Sequence, residues 1–199
     1  MEFQDVVRRR AMTRDFQDRP LPGGALDRIL ANALRAPSAG FTQGAAFVVL
    51  EGRTETERFW SHTLAEEDRS AFPWPGLLRA PAVVIPLAGR QAYLDRYAEA
   101  DKARTGLATE AGWPVPYWDV DCGFAAMAML LTAVDLGLGA LFFGIFKGQA
   151  ALLEALGVPD GHRPIGAVAL GHPSPTDRPS SSTARRRRPM EEVVHRGRW

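Results

Sequence analysis

The residue types best placed to do chemistry in this 199-residue chain are two groups of arginines. Residues 185–188 are four arginines in succession, and Arg8, Arg9, Arg10 and Arg14 form a second group near the other end. A guanidinium is a planar fork of N–H donors that grips phosphate oxygens in pairs, so converging arginines suit a dianionic phosphate. Taken singly, each run is a solvated face. Together they make a phosphate site only if the fold brings the two ends of the chain to one place. The competing chemistry, a grip on nucleic acid, asks for a long basic face with interleaved aromatic rings. Lys and Arg number 24 against 23 Asp and Glu, which leaves a formal charge of +1, and nothing between the two runs supplies such a face. Nucleic acid is therefore not an expected partner.

Other suggestive patterns fail on context. Gly137-Leu138-Gly139-Ala140 begins like a dinucleotide fingerprint, but Phe142 stands where the third glycine belongs. A helix precedes it and a strand follows, the reverse of the required order. Ala36-Pro37-Ser38-Ala39-Gly40 resembles a nucleophile elbow with the same inversion, which argues against an acylating serine. His62, His162, His172 and His195 lack metal-ligand spacing, and Cys122 is the only cysteine, so no metal site and no disulfide is expected. No side chain is expected to act as a catalytic acid, base or nucleophile. A single cysteine fits a reducing compartment. The first ten residues, MEFQDVVRRR, lack the apolar core of a signal peptide. The apolar run near residues 124–134 falls short of the roughly 20 residues of a membrane span. The expectation is a cytoplasmic protein with no membrane partner.

The elements that must carry these residues are legible from periodicity. Hydrophobic residues make up 46%, enough for a core. Phe3, Val6 and Val7 predict a helix over 2–9, and Leu26, Ile29, Leu30, Ala33 and Leu34 an amphipathic helix closed by Pro37. Short branched runs predict strands over 45–52, 80–89, 139–146 and 163–173. Helical patterns fall at 54–67, 91–103 and 148–157. GWPVPYW, residues 112–118, reads as a rigid aromatic loop. Residues 120–136 are apolar on nearly every side, which marks either the centre of a domain or the core of a dimer. Helices alternate with strands and no linker divides the chain, so one central sheet packed by helices, α/β or α+β, is expected.

Five segments, in order, resemble the flavin-dependent nitroreductase family: RRRAMTRDF (8–16), APSAGFTQGAAFVVL (36–50), DLGLGALFFGIF (135–146), ALLEALGVP leading to IGAVALGHP (151–173), and the tail ARRRRPMEEVVH. The resemblance implies an α+β fold, a three-layer α/β/α sandwich. Its central sheet would be mixed and mostly antiparallel, and two chains would intertwine as a homodimer. Residues 1–199 would form one domain, with 174–199 as a C-terminal arm. It also implies flavin mononucleotide (FMN) at the dimer interface, with NAD(P)H as transient reductant and hydride passing through flavin N5 to a small planar acceptor such as a nitroaromatic or quinone. Carried over by position, Arg10 and Arg14 would bind the FMN phosphate with the backbone around Ala11 and Met12. Pro37, Ser38 and Ala39 would line the ribityl chain and ring edge, and Gln43 the pyrimidine end. Gly144 and Ile145 would pass over the ring, and Arg185 and Arg187 would complete the phosphate grip. Ala11, Met12 and Phe41 replace the Arg, Ser and Asn usual at those positions. Phe41, Trp113, Tyr117 and Trp118 are candidates for a substrate lid. The alternatives are an oxidase or dehydrogenase of a biosynthetic pathway using O2, a flavin-fragmenting enzyme, or a flavin-binding protein without turnover.

Overall fold

The computed structural model describes residues 1–199. In chain order its first half contains α1 (Phe3–Arg9), α2 (Ala25–Ala33), β1 (Ala45–Glu51), α3 (Arg53–Thr63), α4 (Glu66–Arg69), β2 (Ala82–Gly89) and α5 (Arg90–Ala98). The second half contains α6 (Tyr117–Asp135), β3 (Gly139–Phe143), α7 (Gln149–Ala155), β4 (His162–Pro164), β5 (Ala167–Gly171) and α8 (Met190–Val193).

Every residue of β2 is buried, as its unbroken apolar run requires of a strand covered on both faces. The sheet order is β1-β2-β5-β3, with β4 also paired to β2, and all these pairs are antiparallel. Alternation along each strand feeds two cores, one on each side. Ala82 and Val84 of β2, Val168 and Leu170 of β5, and Ala140 of β3 face α2 and α6. Val83, Ile85 and Leu87, with Ala167, Ala169 and Leu141, face Phe59 and Trp60 of α3 and Leu152 of α7. The result is the expected three-layer sandwich around a mostly antiparallel sheet. A parallel bridge from Met12 to Ala140 makes the sheet mixed at its far edge.

Three boundaries differ from the periodicity. The run 163–173 is two strands, because Gly166 forms a bulge. Leu87 faces Pro164 while Val84 faces Val168, so three steps along one strand oppose four along the other. Gly166 has φ 151°, and a Cβ there would lie 2.6 Å from the Phe143 carbonyl, so only glycine fits. The strand expected to reach residue 146 stops at Phe143, its last partner being Ala167. The apolar helix starts at Tyr117 rather than 120, because Pro116 provides the helix boundary and the chain turns helical immediately after it.

The helix α6 has 19 residues and a mean hydropathy of 1.2, so by length and composition it reaches the minimum of a membrane span, contrary to the expectation. Half of it is buried against the chain itself, and Asn32 of α2 donates to its Thr132 (3.0 Å), as befits a core helix. It is not covered all round. Phe124 and Met127 are 48% and 47% exposed and, with Val120 and Leu131, form one apolar stripe at helical spacing.

Candidate functional site

The N-terminal arginines are held by a segment that adds to the sheet edge. After α1 the chain runs extended, and Thr13 N–H donates to the Ala140 carbonyl (3.0 Å). Phe16 is fully buried and bridges Pro173. The chain leaving β5 then lies along this segment: Gln17 N–H donates to His172 (2.9 Å) and Ser174 N–H to Asp15 (2.9 Å). Asp177 Oδ1 accepts from both Arg14 and Asp15 N–H (3.0 Å each). So the two ends of the chain do meet, as far as residue 177.

The guanidiniums differ in what they touch. Arg14 donates to the Met12 carbonyl (3.0 Å) and lies over the Trp74 ring, 5.3 Å from its centroid. Arg10 Nη1 is buried and has no hydrogen-bond partner. A buried unpaired donor of a charged group costs free energy until something accepts from it. Arg185 and Arg187 are exposed and form no side-chain bond within the chain. Of the four, Arg188 alone is engaged, turning onto the Glu192 carbonyl (3.0 Å) and carboxylate (3.3 Å). A single chain therefore does not close the arginine run onto Arg10.

The second group of expected residues lies in the turn after α2. The last turn of α2 tightens, with Ala36 N–H on Ala33, and Pro37 stops it. Gly40, Phe41 and Gln43 then adopt φ of 62°, 55° and 55°. Two non-glycine excursions into the left-handed region, separated by Thr42 alone, store strain, which the surroundings must impose. They do so through four bonds. Ser38 Oγ accepts from Gln43 N–H (2.9 Å), Asp121 Oδ2 accepts from Ala39 N–H (2.8 Å) and from Tyr93 O–H (2.8 Å), and Arg96 Nε donates to the Gly40 carbonyl (3.0 Å). Pro37, Ser38 and Gln43 share a cleft of about 160 Å³ with Tyr93, Asp121 and Ala125. Phe41 stands outside it, 77% exposed. Tyr93 and Asp121 were not anticipated. The one signal was a carboxylate between Val120 and Cys122 near the start of a mostly apolar helix, where burial demands hydrogen-bond partners.

Burial, then the hydrogen bond to Asp121 and its charge, push the Tyr93 phenol far above its ordinary value, so it remains a donor. Burial first, then the charges of Asp119 and Asp121, push the Cys122 thiol up to about 12. Its ordinary value is 9.0. The unfolded thiol ionises first, so this contribution to stability is whole below pH 9 and is lost as pH rises toward 12. Cys122 is therefore expected to ignore a thiol reagent at pH 8 until the chain is unfolded. Between pH 8 and 10.5 the wild type is expected to lose more stability than Cys122→Ala in urea titrations. Rapid labelling of the native thiol would contradict the burial.

Gly144 and Ile145 follow the end of β3 and line a different, aromatic cleft with Phe59, Trp60, Phe72 and Lys147. Phe143 stacks on Trp60 at its floor (5.8 Å, 9°). Arg14 lines a third, polar cleft with Trp74, Arg79 and Asp177. Within one chain the expected site residues thus fall in three separate places.

The aromatic loop is not a free lid. Trp118 is 6% exposed and packs with Ala88, Tyr93 and Cys122 in a small core of its own. Trp113 Nε1 donates to the Leu107 carbonyl (2.7 Å), and its ring meets Tyr97 edge-on at 4.8 Å. Tyr117, the first residue of α6, is partly exposed. Because α6 begins at this point, Trp118 turns inward with the helix, which corrects the reading of residues 112–118 as one loop.

Residues 7–172 match the model of the Nitroreductase family. A relative from Archaeoglobus fulgidus, whose name carries the words NADH dehydrogenase/NAD(P)H nitroreductase, is 27% identical over 176 residues, 86% of each chain. A Staphylococcus aureus protein named NADPH-dependent oxidoreductase is 21% identical over 198 residues, 98% of this chain and 73% of its own. Among solved structures, a nitroreductase family protein from Streptococcus pneumoniae superposes with a TM-score of 0.75 at 19% identity, over 98% of this chain and 100% of that one. One described as an oxidoreductase containing FMN superposes with a TM-score of 0.71 at 21% identity, over 98% and 91%.

Proposed function

The chain belongs to the nitroreductase family, and on that premise we propose that it is an FMN-dependent NAD(P)H oxidoreductase acting on a small planar acceptor, a nitroaromatic or quinone. The observation that carries the reading is Arg10 Nη1, buried without a partner on the segment that holds the family's phosphate motif. An FMN phosphate would supply the missing acceptor. When bound, FMN supplies the redox chemistry, accepting hydride from NAD(P)H and passing electrons on. The chain supplies binding and orientation. Arg10 and Arg14, with the backbone at Ala11 and Met12, hold the phosphate. Pro37, Ser38, Ala39 and Gln43 form a wall whose strained backbone is locked by Asp121 and Ser38. Gly144 and Ile145 line the aromatic cleft, with the Phe146 ring against Gly144.

The site is complete only with a second chain. The division of its residues among three clefts supports this, as do the uncovered stripe of α6 and the arm beyond residue 177, whose Met190, Val193 and Trp199 are exposed. In the homodimer the arm of one protomer brings Arg185 and Arg187 to the other's phosphate site. Its cytoplasmic place belongs to the same proposal.

The test is the visible spectrum of the purified protein before and after anaerobic addition of NADH or NADPH. A flavin band bleached by either donor is the expected result. A band that neither bleaches indicates an oxidase, or a flavin-binding protein without turnover. No band even with added FMN refutes the flavin site.

A further inference from the structure

A fourth cleft, of about 480 Å³, lies at one end of the sheet and is lined by none of the residues assigned to the flavin. Its size is within the range of small-ligand sites. Two arginines rise from neighbouring strand ends to line it. Arg163 stands opposite Ala88 in the β2–β4 ladder, and Arg90 follows two residues after Ala88, at the start of α5. Arg90 Nη1 donates to Glu110 (2.6 Å), in the short turn Glu110–Gly112, and Arg163 Nη2 donates to Asp119 of α6. Each guanidinium uses one nitrogen in this way, and the rest of each fork is left unbonded. Trp118 adds a further donor. It is 6% exposed, yet its indole N–H finds no acceptor in the chain, whereas Trp113 nearby gives its own to the Leu107 carbonyl (2.7 Å). Against these donors the cleft sets one acidic side chain, Glu110, and Arg90 already occupies it. Ala88 and Pro116 complete the lining with apolar surface.

We propose that this cleft binds a small organic monocarboxylate, its carboxylate between Arg90 and Arg163 with the Trp118 N–H as a further donor, and its apolar body against Ala88 and Pro116. A planar carboxylate matches the guanidinium fork. A single negative charge suits the site better than a dianionic phosphate, because Glu110 and Asp119 already balance the two arginines in part and would repel the second charge. The ligand and Glu110 compete for Arg90. Binding here takes no part in the flavin chemistry proposed above and does not depend on it.

The experiment is a calorimetric titration of the full-length protein, with FMN added in excess, against three probes: cyclohexanecarboxylate, its neutral counterpart cyclohexanecarboxamide, and inorganic phosphate. The cyclohexane ring is not planar, which sets these probes apart from a flat electron acceptor. Charge-assisted hydrogen bonds predict that the carboxylate binds at least about tenfold tighter than the carboxamide, and tighter than phosphate. In Arg163→Gln the preference for the carboxylate is expected to vanish while the flavin content stays at the wild-type level. In Glu110→Gln the competing carboxylate is gone and every donor remains, so the carboxylate is expected to bind several-fold tighter and the carboxamide as before. Arginines with only a structural role would lower the melting temperature of Arg163→Gln and leave the carboxylate-to-carboxamide ratio alone in both variants. The proposal is overturned by a wild type without preference for the carboxylate, by phosphate binding the tighter, or by a preference that survives in Arg163→Gln. Loss of flavin together with loss of carboxylate binding would place the probe at the flavin and overturn it as well. Should Arg163→Gln not fold, Glu110→Gln, altered on an exposed side chain, decides by whether affinity rises. Failure of flavin reduction by NAD(P)H sinks the function proposed above and leaves these titrations standing.

Discussion

Protein carrying Arg10→Ala is expected to bind FMN about 10- to 100-fold more weakly than the wild type, the loss of one charge-assisted hydrogen bond worth about 1.5–3 kcal/mol. The size follows from what Arg10 lacks. Its Nη1 is buried and unpaired, so a phosphate gains a full bond and displaces nothing. Arg14 is different: its guanidinium already donates to the Met12 carbonyl and lies on Trp74, so Arg14→Ala should cost less. Arg10→Lys keeps the charge and loses the fork, and an intermediate affinity is expected. Fluorescence titration of flavin-stripped protein with FMN measures all three. Wild-type affinity in Arg10→Ala would remove Arg10 from the phosphate site. Arg187→Ala, on the exposed arm, tests separately whether the C-terminal run reaches that site.

The replacement Phe124→Glu is expected to abolish the homodimer proposed above and to empty the flavin site with it. Phe124 and Met127 lie at the middle of an apolar stripe on α6 that the rest of the chain leaves about half uncovered. Contiguous exposed apolar surface of this kind marks an interface. In a twofold assembly each substitution acts twice. Fully burying a phenylalanine is worth about 1.5–3 kcal/mol; Phe124 is 48% exposed, so each copy loses about half of that and two losses weaken association roughly tenfold to a hundredfold, before the cost of burying two carboxylates. Sedimentation across a concentration series, with the flavin absorbance followed at the same boundary, reads both effects. A wild-type monomer that carries flavin would show that the three clefts do not need a second chain.

The sequence by itself determined what local rules govern. The apolar runs at 82–89 and 167–171 marked strands, and only the packing decided which of their residues face which layer. The apolar surplus of α6 announced a helix needing cover on more than one side. The order of short motifs, from Arg10 and Arg14 through Pro37, Ser38 and Gln43 to Gly144, was enough to recognise the family before any coordinate. Three things lay beyond it. The bulge at Gly166 split a strand because two strands of unequal spacing had to share β2, and a pairing mismatch is not written in either strand alone. Trp118 became core rather than lid because α6 began at Tyr117 and carried the ring inward to Tyr93 and Cys122. Asp121 stood in plain view as a carboxylate among apolar residues. Its partners come from positions 82 and 28 residues away, so only the tertiary structure decided that its Oδ2 holds the strained turn.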